Sequence, residues 1–139
     1  MVQEETFNLE EAKKASGYFY LASPYSKHPE GINYAAWEVS DCAGWLIRQG
    51  LSIFCPISHS HTIATHAKLD PLSHKIWLPA DMPLMIGACG LIVAMLPTWK
   101  ESYGVGVEIQ QFQQDGKPIY YLNWPMAKEP IDDSLAVNN

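Results

Sequence analysis

The sequence lacks the marks of several large classes of protein. It has no cluster of lysines and arginines and carries a net charge of −6, which argues against a nucleic-acid polymer as a partner. No apolar run reaches the roughly 20 residues that a membrane-spanning helix needs. Neither a GxGxxG pattern after the first predicted strand nor the GKS/T of a P-loop is present. Dinucleotide-dependent oxidoreductases and P-loop NTPases are therefore disfavoured, and a small-molecule ligand remains.

Cysteine is also scarce. The three cysteines, Cys42, Cys55 and Cys89, form an odd set without CxxC spacing, and each lies among apolar residues. This pattern is typical of buried free thiols in a reducing compartment. Residues 1–5 do not combine a basic stretch with an apolar core, so they do not resemble a signal peptide. We therefore expect a cytoplasmic protein.

What the sequence does contain is the composition of one globular domain. Of its 139 residues, 47% are hydrophobic and 17% are charged, which is enough apolar material for a sizeable core. We interpret residues 1–139 as a single domain with its core at about 18–122. The acidic, proline-containing residues 123–139 are expected to form an irregular tail.

Short apolar or aromatic runs alternate with stretches of helical spacing. The predicted strands are 18–22, 51–55, 90–96 and 119–122. The clearest predicted helices are 33–49, which Gly50 ends, and 104–114. The remaining segments are a short helix at 9–15, a long loop with some helix at 57–76, and a helix at 74–88 interrupted near 79–83. The pattern predicts an α/β fold, a Rossmann- or flavodoxin-like three-layer sandwich with four to five mainly parallel strands.

Residues 101–108, with the sequence ESYGVGVE, join the third predicted strand to the helix at 104–114. A glycine-rich turn that opens a helix presents unpaired backbone N–H groups, which suit a phosphate or a carboxylate. Gly104 and Gly106 are therefore candidate ligand-binding residues.

Glu108 is the unusual residue of this helix. Together with Val105, Ile109 and Phe112 it falls on the stripe that faces the core. Apolar surroundings disfavour its charge while the helix N-terminus favours it, so its pKa is under opposing influences. Glu108 is either a catalytic carboxylate or a capping acid that binds backbone N–H groups.

Hydroxyl groups gather where the first predicted strand ends. Pro24 ends the strand ladder, and Ser23, Tyr25 and Ser26 surround it. Ligands of open α/β sheets bind at this end of the strands, so these residues are candidates for ligand binding. Tyr25, like Trp99 and Tyr103 near the third strand, either stacks on a ligand or packs in the core or at its rim.

The order and spacing of several motifs resemble the nucleoside 2-deoxyribosyltransferase superfamily. This superfamily includes nucleoside transferases and the 2′-deoxynucleoside 5′-monophosphate N-glycosidases. The motifs span about residues 18–122 and are Tyr20-Leu21-Ala22-Ser23-Pro24-Tyr25, Asp81, Ser102-x-Gly104-x-Gly106-x-Glu108 and Gly116-Lys117-Pro118. Two further motifs resemble a functionally uncharacterised bacterial and phage branch more closely. They are Leu96-Pro97-x-Trp99-x-x-Ser102-x-Gly104-Val105 and Ser58-His59-Ser60-His61.

The resemblance implies cleavage or transfer of the N-glycosidic bond of a nucleoside or nucleoside 5′-monophosphate. Glu108 matches the nucleophile that attacks C1′ and carries a covalent glycosyl intermediate. Asp81 matches the acid near the leaving base, and Tyr20 the tyrosine that orients the nucleophile. Ser102 stands where the transferases have a sugar-binding aspartate and the N-glycosidases a phosphate-binding serine. A hydroxyl there accepts a phosphate that a carboxylate would repel.

The chain also departs from that pattern. The N-glycosidases carry a serine and an arginine after the first strand, where this chain has Pro24 and Ser26. The superfamily often completes its site from a neighbouring subunit, which implies a homodimer or higher homo-oligomer, with Asn123 as a candidate for that element. Without the resemblance, Asp81 would be interpreted as a helix N-cap or a surface acid. The competing hypothesis is a nucleotide-binding or sensing module that keeps the pocket without turnover.

His59 and His61 lie in a segment that we expect to continue the second strand, where alternation would place them on one side. They are expected to line the pocket for the base or to bind backbone groups. With His66 and Asp70 they could instead form a metal site, but the usual zinc spacing is missing. We predict neither a metal nor another cofactor.

Overall fold

A parallel sheet of five strands forms the centre of the molecule. The computed structural model describes residues 4–124, so the predicted tail at 123–139 lies almost wholly outside the described residues. The strands are β1 (Glu4–Thr6), β2 (Phe19–Ala22), β3 (Ile53–Phe54), β4 (Gly90–Ala94) and β5 (Ile119–Leu122). They pair in the order β1-β5-β4-β2-β3, and every pairing is parallel. The predicted α/β fold is confirmed.

Helices cover both faces of the sheet. They are α1 (Leu9–Lys13), α2 (Ile32–Arg48), α3 (Pro56–Ala67), α4 (His74–Gly87) and α5 (Tyr103–Gln114), with a short 3-10 turn at Trp99–Glu101. Along β2, Leu21 packs in the cluster that contains α2, whereas Tyr20 packs in the cluster that contains α4 and α5. Since successive side chains of a strand point to opposite faces, the sheet is the middle of three layers.

Helix α2 confirms the prediction for 33–49. Val39 and Leu46 are fully buried, whereas Ile47 is 53% exposed, so the apolar stripe passes through Leu46. The chain leaves the helix at Gly50, whose φ of +98° lies in the left-handed region that favours glycine. The next residues then enter β3.

Strand β1 was not predicted. Its residues are acidic and polar, which suits its position at the edge of the sheet. Among the described strands it pairs with β5 alone. The pairing continues past the strand, where the Phe7 N–H donates to the Tyr121 carbonyl at 2.9 Å. A short polar edge strand carries no alternation of apolar residues from which a sequence could reveal it.

The prediction for residues 57–61 was wrong. They do not continue the second strand but lie in α3, which begins at Pro56 directly after a strand of only two residues. Proline fits the first position of a helix because its missing N–H has no partner there anyway. His59 and His61 are therefore not on one side of a strand, and their side chains point in different directions around the helix.

Helix α4 is also more regular than predicted. It continues through Pro79 and Pro83 without a break. Both prolines are exposed, so the carbonyl groups that they leave unpaired can be hydrated. Its C-terminus receives a cation, because Lys117 Nζ donates to the carbonyls of Met85 and Ile86.

Candidate functional site

A cavity of about 320 Å³ opens at the carboxyl end of β2. It lies between the N-terminal ends of α3 and α5, with one face of α4 along its side. The sequence-predicted residues that line it are Tyr20, Ser23, Tyr25, Ser26, Asp81, Ser102, Gly104 and Glu108. The fold thus gathers residues from four elements into one hollow.

Glu108 is buried in the second turn of α5, with 9% of its surface exposed. Burial raises its pKa to about 8; the Tyr20 hydroxyl acts to lower it and the charge of Asp81 to raise it. Glu108 is not the capping acid, because that position belongs to Ser102. A carboxyl group therefore faces the cavity in a form that is mostly neutral at pH 7.

Tyr20 lies fully buried in β2 beneath this carboxyl group. Its ring is held between those of Phe54 and Phe112, with centroids 5.7 and 5.9 Å away. Its hydroxyl reaches no partner at full hydrogen-bond geometry. Burial raises the pKa of Tyr20, and the nearby Glu108 carboxylate raises it further. We interpret the contact between Tyr20 and Glu108 as a hydrogen bond of imperfect geometry, because no other acceptor pairs with this hydroxyl among the described residues.

Asp81 lines the cavity from the middle of α4, where it is half-buried. It is not an N-cap, because Ser73 begins the helix. Burial raises its pKa to about 6, and the nearby His59 acts in the opposite direction. Asp81 is close enough to Glu108 for its negative charge to raise the pKa of Glu108, although burial has the larger effect.

The start of α5 closes one end of the cavity. Ser102 is the N-cap, and its Oγ accepts a hydrogen bond of 3.3 Å from the Val105 N–H. Gly104 lines the cavity, but the Gly106 N–H already donates to the Ser102 carbonyl and Gly106 lies outside the lining. The anion-binding capacity predicted for this turn therefore rests on Ser102 and Gly104.

The loop after β2 supplies a further part of the lining. Ser23 is 5% exposed and lines the cavity, and its hydroxyl has no hydrogen-bond partner among residues 4–124. His28, which the sequence gave no reason to select, holds this loop to α2: its Nε2 lies 2.8 Å from Glu38 Oε1, and its Nδ1 accepts from the Glu30 N–H at 3.1 Å. Because Nδ1 accepts, Nε2 carries the proton and donates to Glu38.

Several candidates lie outside the cavity lining. His59 packs against Phe54, with centroids 5.5 Å apart, and His61 is hydrogen-bonded to Tyr25. Asn123 is exposed beyond β5. Trp99 packs against Tyr121 rather than at the cavity.

Other lining residues were missed. On α4, Trp77 and Leu78 line the cavity together with His74 and Asp81. These positions follow the helical spacing i, i+3, i+4 and i+7, so treating 74–88 as one helix would have found them. Tyr103 is 59% exposed, and its ring meets that of His74 at 4.6 Å, which links the starts of α4 and α5.

The lining combines acidic and apolar side chains. Among residues 4–124 it contains Asp81 and Glu108 but neither lysine nor arginine. Within residues 4–124, no three His, Cys, Asp or Glu residues gather as a metal site. In the same part of the chain, no helix is both long and apolar enough to cross a membrane. The arrangement can bind a partly apolar ligand and present two acids to it.

Comparison with known proteins places the chain in a family without assigning it an activity. No curated protein matches the chain. Residues 17–124, which contain β2 to β5 and every lining residue of the cavity, match the family described as Domain of unknown function (DUF1937). The chain therefore belongs to the DUF1937 family.

Proposed function

We propose that the protein cleaves or transfers the N-glycosidic bond of a nucleoside or nucleoside 5′-monophosphate. One observation carries this proposal: Glu108, Asp81 and Tyr20 face one cavity of about 320 Å³, and the two carboxyl groups interact. We infer that the DUF1937 family is related to the nucleoside 2-deoxyribosyltransferase superfamily, since five of the residues that carry the resemblance line that cavity: Tyr20, Asp81, Ser102, Gly104 and Glu108.

Glu108 is the nucleophile of the proposed reaction. Its carboxylate attacks C1′ of the sugar, the bond from C1′ to the base nitrogen breaks, and an ester joins Glu108 to the sugar. Water or a second base then gives a proton to the Asp81 carboxylate, attacks C1′ and releases the Glu108 carboxylate. Tyr20 donates a hydrogen bond to the carboxylate and so favours the reactive, ionised form.

Asp81 supplies a proton to the departing base. Its position on α4, beside Trp77 and Leu78, allows a planar base to lie against an apolar wall while it meets the acid. The transition state carries positive charge on the sugar, which the Glu108 carboxylate stabilises. The two acids thus have separate tasks on either side of the scissile bond.

The pKa values determine how the pair is charged before substrate arrives. Glu108, with a pKa of about 8, holds its proton more tightly than Asp81, with a pKa of about 6. The productive form has the proton on Asp81 instead, and it is the minor of the two singly protonated forms. Substrate binding must favour that form.

Two features point to different substrates for the site. Ser102 at the start of α5 can donate to a 5′-phosphate, together with the first N–H groups of the helix. Within the described residues, however, the lining has two carboxyl groups and no lysine or arginine, which favours an uncharged nucleoside. The rates of base release from a nucleoside and from its 5′-monophosphate distinguish these two substrates. Equal rates would reject Ser102 as a phosphate ligand.

The proposal is tested by incubating the protein with a panel of nucleosides and their 5′-monophosphates and measuring free base by chromatography. We expect wild type to release base from at least one of them and Glu108→Gln to release none. Asp115→Asn, on the exposed end of the same helix, is the matched control and should behave as wild type. Tight binding without release of base would support the binding module instead.

A further inference from the structure

A hydrogen bond connects the cavity wall to a residue outside the cavity. The Tyr25 hydroxyl bonds to His61 Nδ1, and the two rings meet edge to face, with centroids 5.7 Å apart and an interplanar angle of 85°. Tyr25 lines the cavity and is 8% exposed, whereas His61 lies in α3 outside the lining. His61 therefore meets a ligand through Tyr25 rather than directly.

The direction of this hydrogen bond follows from the chemistry of the two groups. A phenol is a strong donor, and a neutral imidazole nitrogen without a proton is a strong acceptor. Burial raises the pKa of Tyr25, so its hydroxyl keeps the proton at neutral pH. With Tyr25 as donor to Nδ1, His61 carries its own proton at Nε2.

We propose that His61 is a positioning residue that fixes the Tyr25 hydroxyl as a hydrogen-bond acceptor toward the cavity. The hydroxyl proton points to His61, so the lone pairs of the oxygen are left for the ligand. The site then selects a ligand group that donates at this position, either a sugar hydroxyl or a base N–H. The direction of the hydrogen bond depends only on the protein without a ligand. The identity of the ligand group that donates to Tyr25 rests on the proposed function.

The loop that carries Tyr25 is anchored independently of His61. The His28 N–H donates to the Tyr25 carbonyl at 3.3 Å, and the His28 side chain is held by Glu38 and the Glu30 N–H. Loss of His61 should therefore release the hydroxyl group and leave the loop in place. Ser23 in the same loop provides the contrast, because its buried hydroxyl has no partner in the part of the chain that the structure describes.

The first experiment needs no substrate. Nitrogen-15 NMR of the histidine side chains in wild type and Tyr25→Phe reports which ring nitrogen of His61 carries the proton. We expect an unprotonated Nδ1 in wild type, with a shift in its resonance when the hydroxyl is removed. A proton on Nδ1 of wild type, or no response to Tyr25→Phe, would overturn the proposed direction.

The second experiment measures kinetics with thymidine and 2′-deoxyadenosine as probes. We expect His61→Leu and Tyr25→Phe each to raise KM about 5- to 20-fold with kcat within about 3-fold. In the Tyr25→Phe background, His61→Leu should add less than about 2-fold. His61→Asn, whose amide oxygen can accept, should restore most of the wild-type KM, and His66→Leu, an exposed change on the same helix, should leave it unchanged.

Independent, additive effects of the two substitutions would overturn the positioning role, as would failure of His61→Asn to restore KM. If neither probe binds or reacts, the proposed function fails for these substrates. The NMR result then decides the Tyr25–His61 bond by itself, so the two failures are distinguishable.

Discussion

At the scale of single residues, Glu108 is held in an environment that works against its charge. Its pKa is raised from 4.5 to about 8, first by burial. At a pH where the unfolded chain has lost this proton, burial of the acid lowers the free energy of unfolding. Such a loss of stability is common at functional sites. In the proposed reaction, the same burial strengthens the interaction of the ionised carboxylate with a positively charged transition state.

The pH dependence of stability follows from this shift. Between pH 4.5 and about 8 the unfolded chain has released the Glu108 proton while the folded protein retains it, so the free energy of unfolding falls as pH rises. Each pKa unit corresponds to about 1.4 kcal/mol. We expect Glu108→Gln to be similar to wild type in stability at pH 5 and more stable by a few kcal/mol at pH 8.5.

Urea unfolding at the two pH values measures this difference. Glu10→Gln, whose side chain is 83% exposed, is the control and should show no such dependence. A Glu108→Gln effect that is the same at pH 5 and pH 8.5 would contradict the raised pKa.

Asp81 gives a second residue-scale prediction. The productive pair holds one proton, so kcat/KM of wild type should fall below pH about 6, where both acids are protonated, and above about 8, where neither is. In Asp81→Asn the alkaline decline should disappear, because no proton remains to be lost from that position. The rise with pH should then follow Glu108 alone and lie at a pH below about 8, since the charge of Asp81 no longer raises the pKa of Glu108.

This prediction is checked by rate profiles of the two proteins from pH 5 to 9.5. We expect kcat of Asp81→Asn to be lower by about 100-fold or more. An alkaline decline that survives in the variant would assign the proton donor to another group.

At the scale of elements, the site depends on how closely β4 packs between its neighbours. A Cβ added at Gly90 would lie 2.9 Å from the Phe19 ring and 3.1 Å from the Pro118 carbonyl oxygen. Gly90 pairs with Phe19 of β2 on one side of the strand. On the other side the Leu91 N–H donates to the Pro118 carbonyl, so the backbone is held on both sides and cannot shift easily. Glycine is needed here for close approach rather than for flexibility.

We therefore expect Gly90→Ala to destabilise the protein by about 1 to 3 kcal/mol. Gly44→Ala is the matched control, because Gly44 lies inside α2 with nothing within 4 Å of an added Cβ. That change should be neutral or stabilising by up to about 1 kcal/mol. Thermal unfolding of both variants measures the contrast, and equal melting temperatures would contradict the packing described for β4.

The elements also show what a sequence can reveal about this fold. Strands β2, β4 and β5 and helices α2 and α5 were predictable because each is buried on a clear stripe or in a short apolar run. Strand β1 and helix α3 were not, since a polar edge strand and a helix with few buried residues give no such contrast. The candidate catalytic residues were recognised through their motifs. His28 acts through tertiary contacts that have no local signal, whereas Trp77 was missed because 74–88 was not treated as one continuous helix.

At the scale of the whole molecule, the strand order determines where the cavity forms. From β2 the chain moves outward to β3, then returns past β2 to β4 on the other side. Ligand sites of open α/β sheets lie at the carboxyl ends of the strands where the order reverses in this way. The loop after β2 and the turn after β4 meet at that crevice, which brings Ser23 and Ser102 into the lining of one cavity.

We propose that the Glu108 carboxyl group enables N-glycosidic bond cleavage in this cavity. The most direct test is the amount of free base released from a bound nucleoside by wild type and by Glu108→Gln. We expect wild type to release free base and Glu108→Gln to release at least about 1,000-fold less, with nucleoside binding retained. Undiminished release by Glu108→Gln, or tight binding by wild type with no base released, would contradict it.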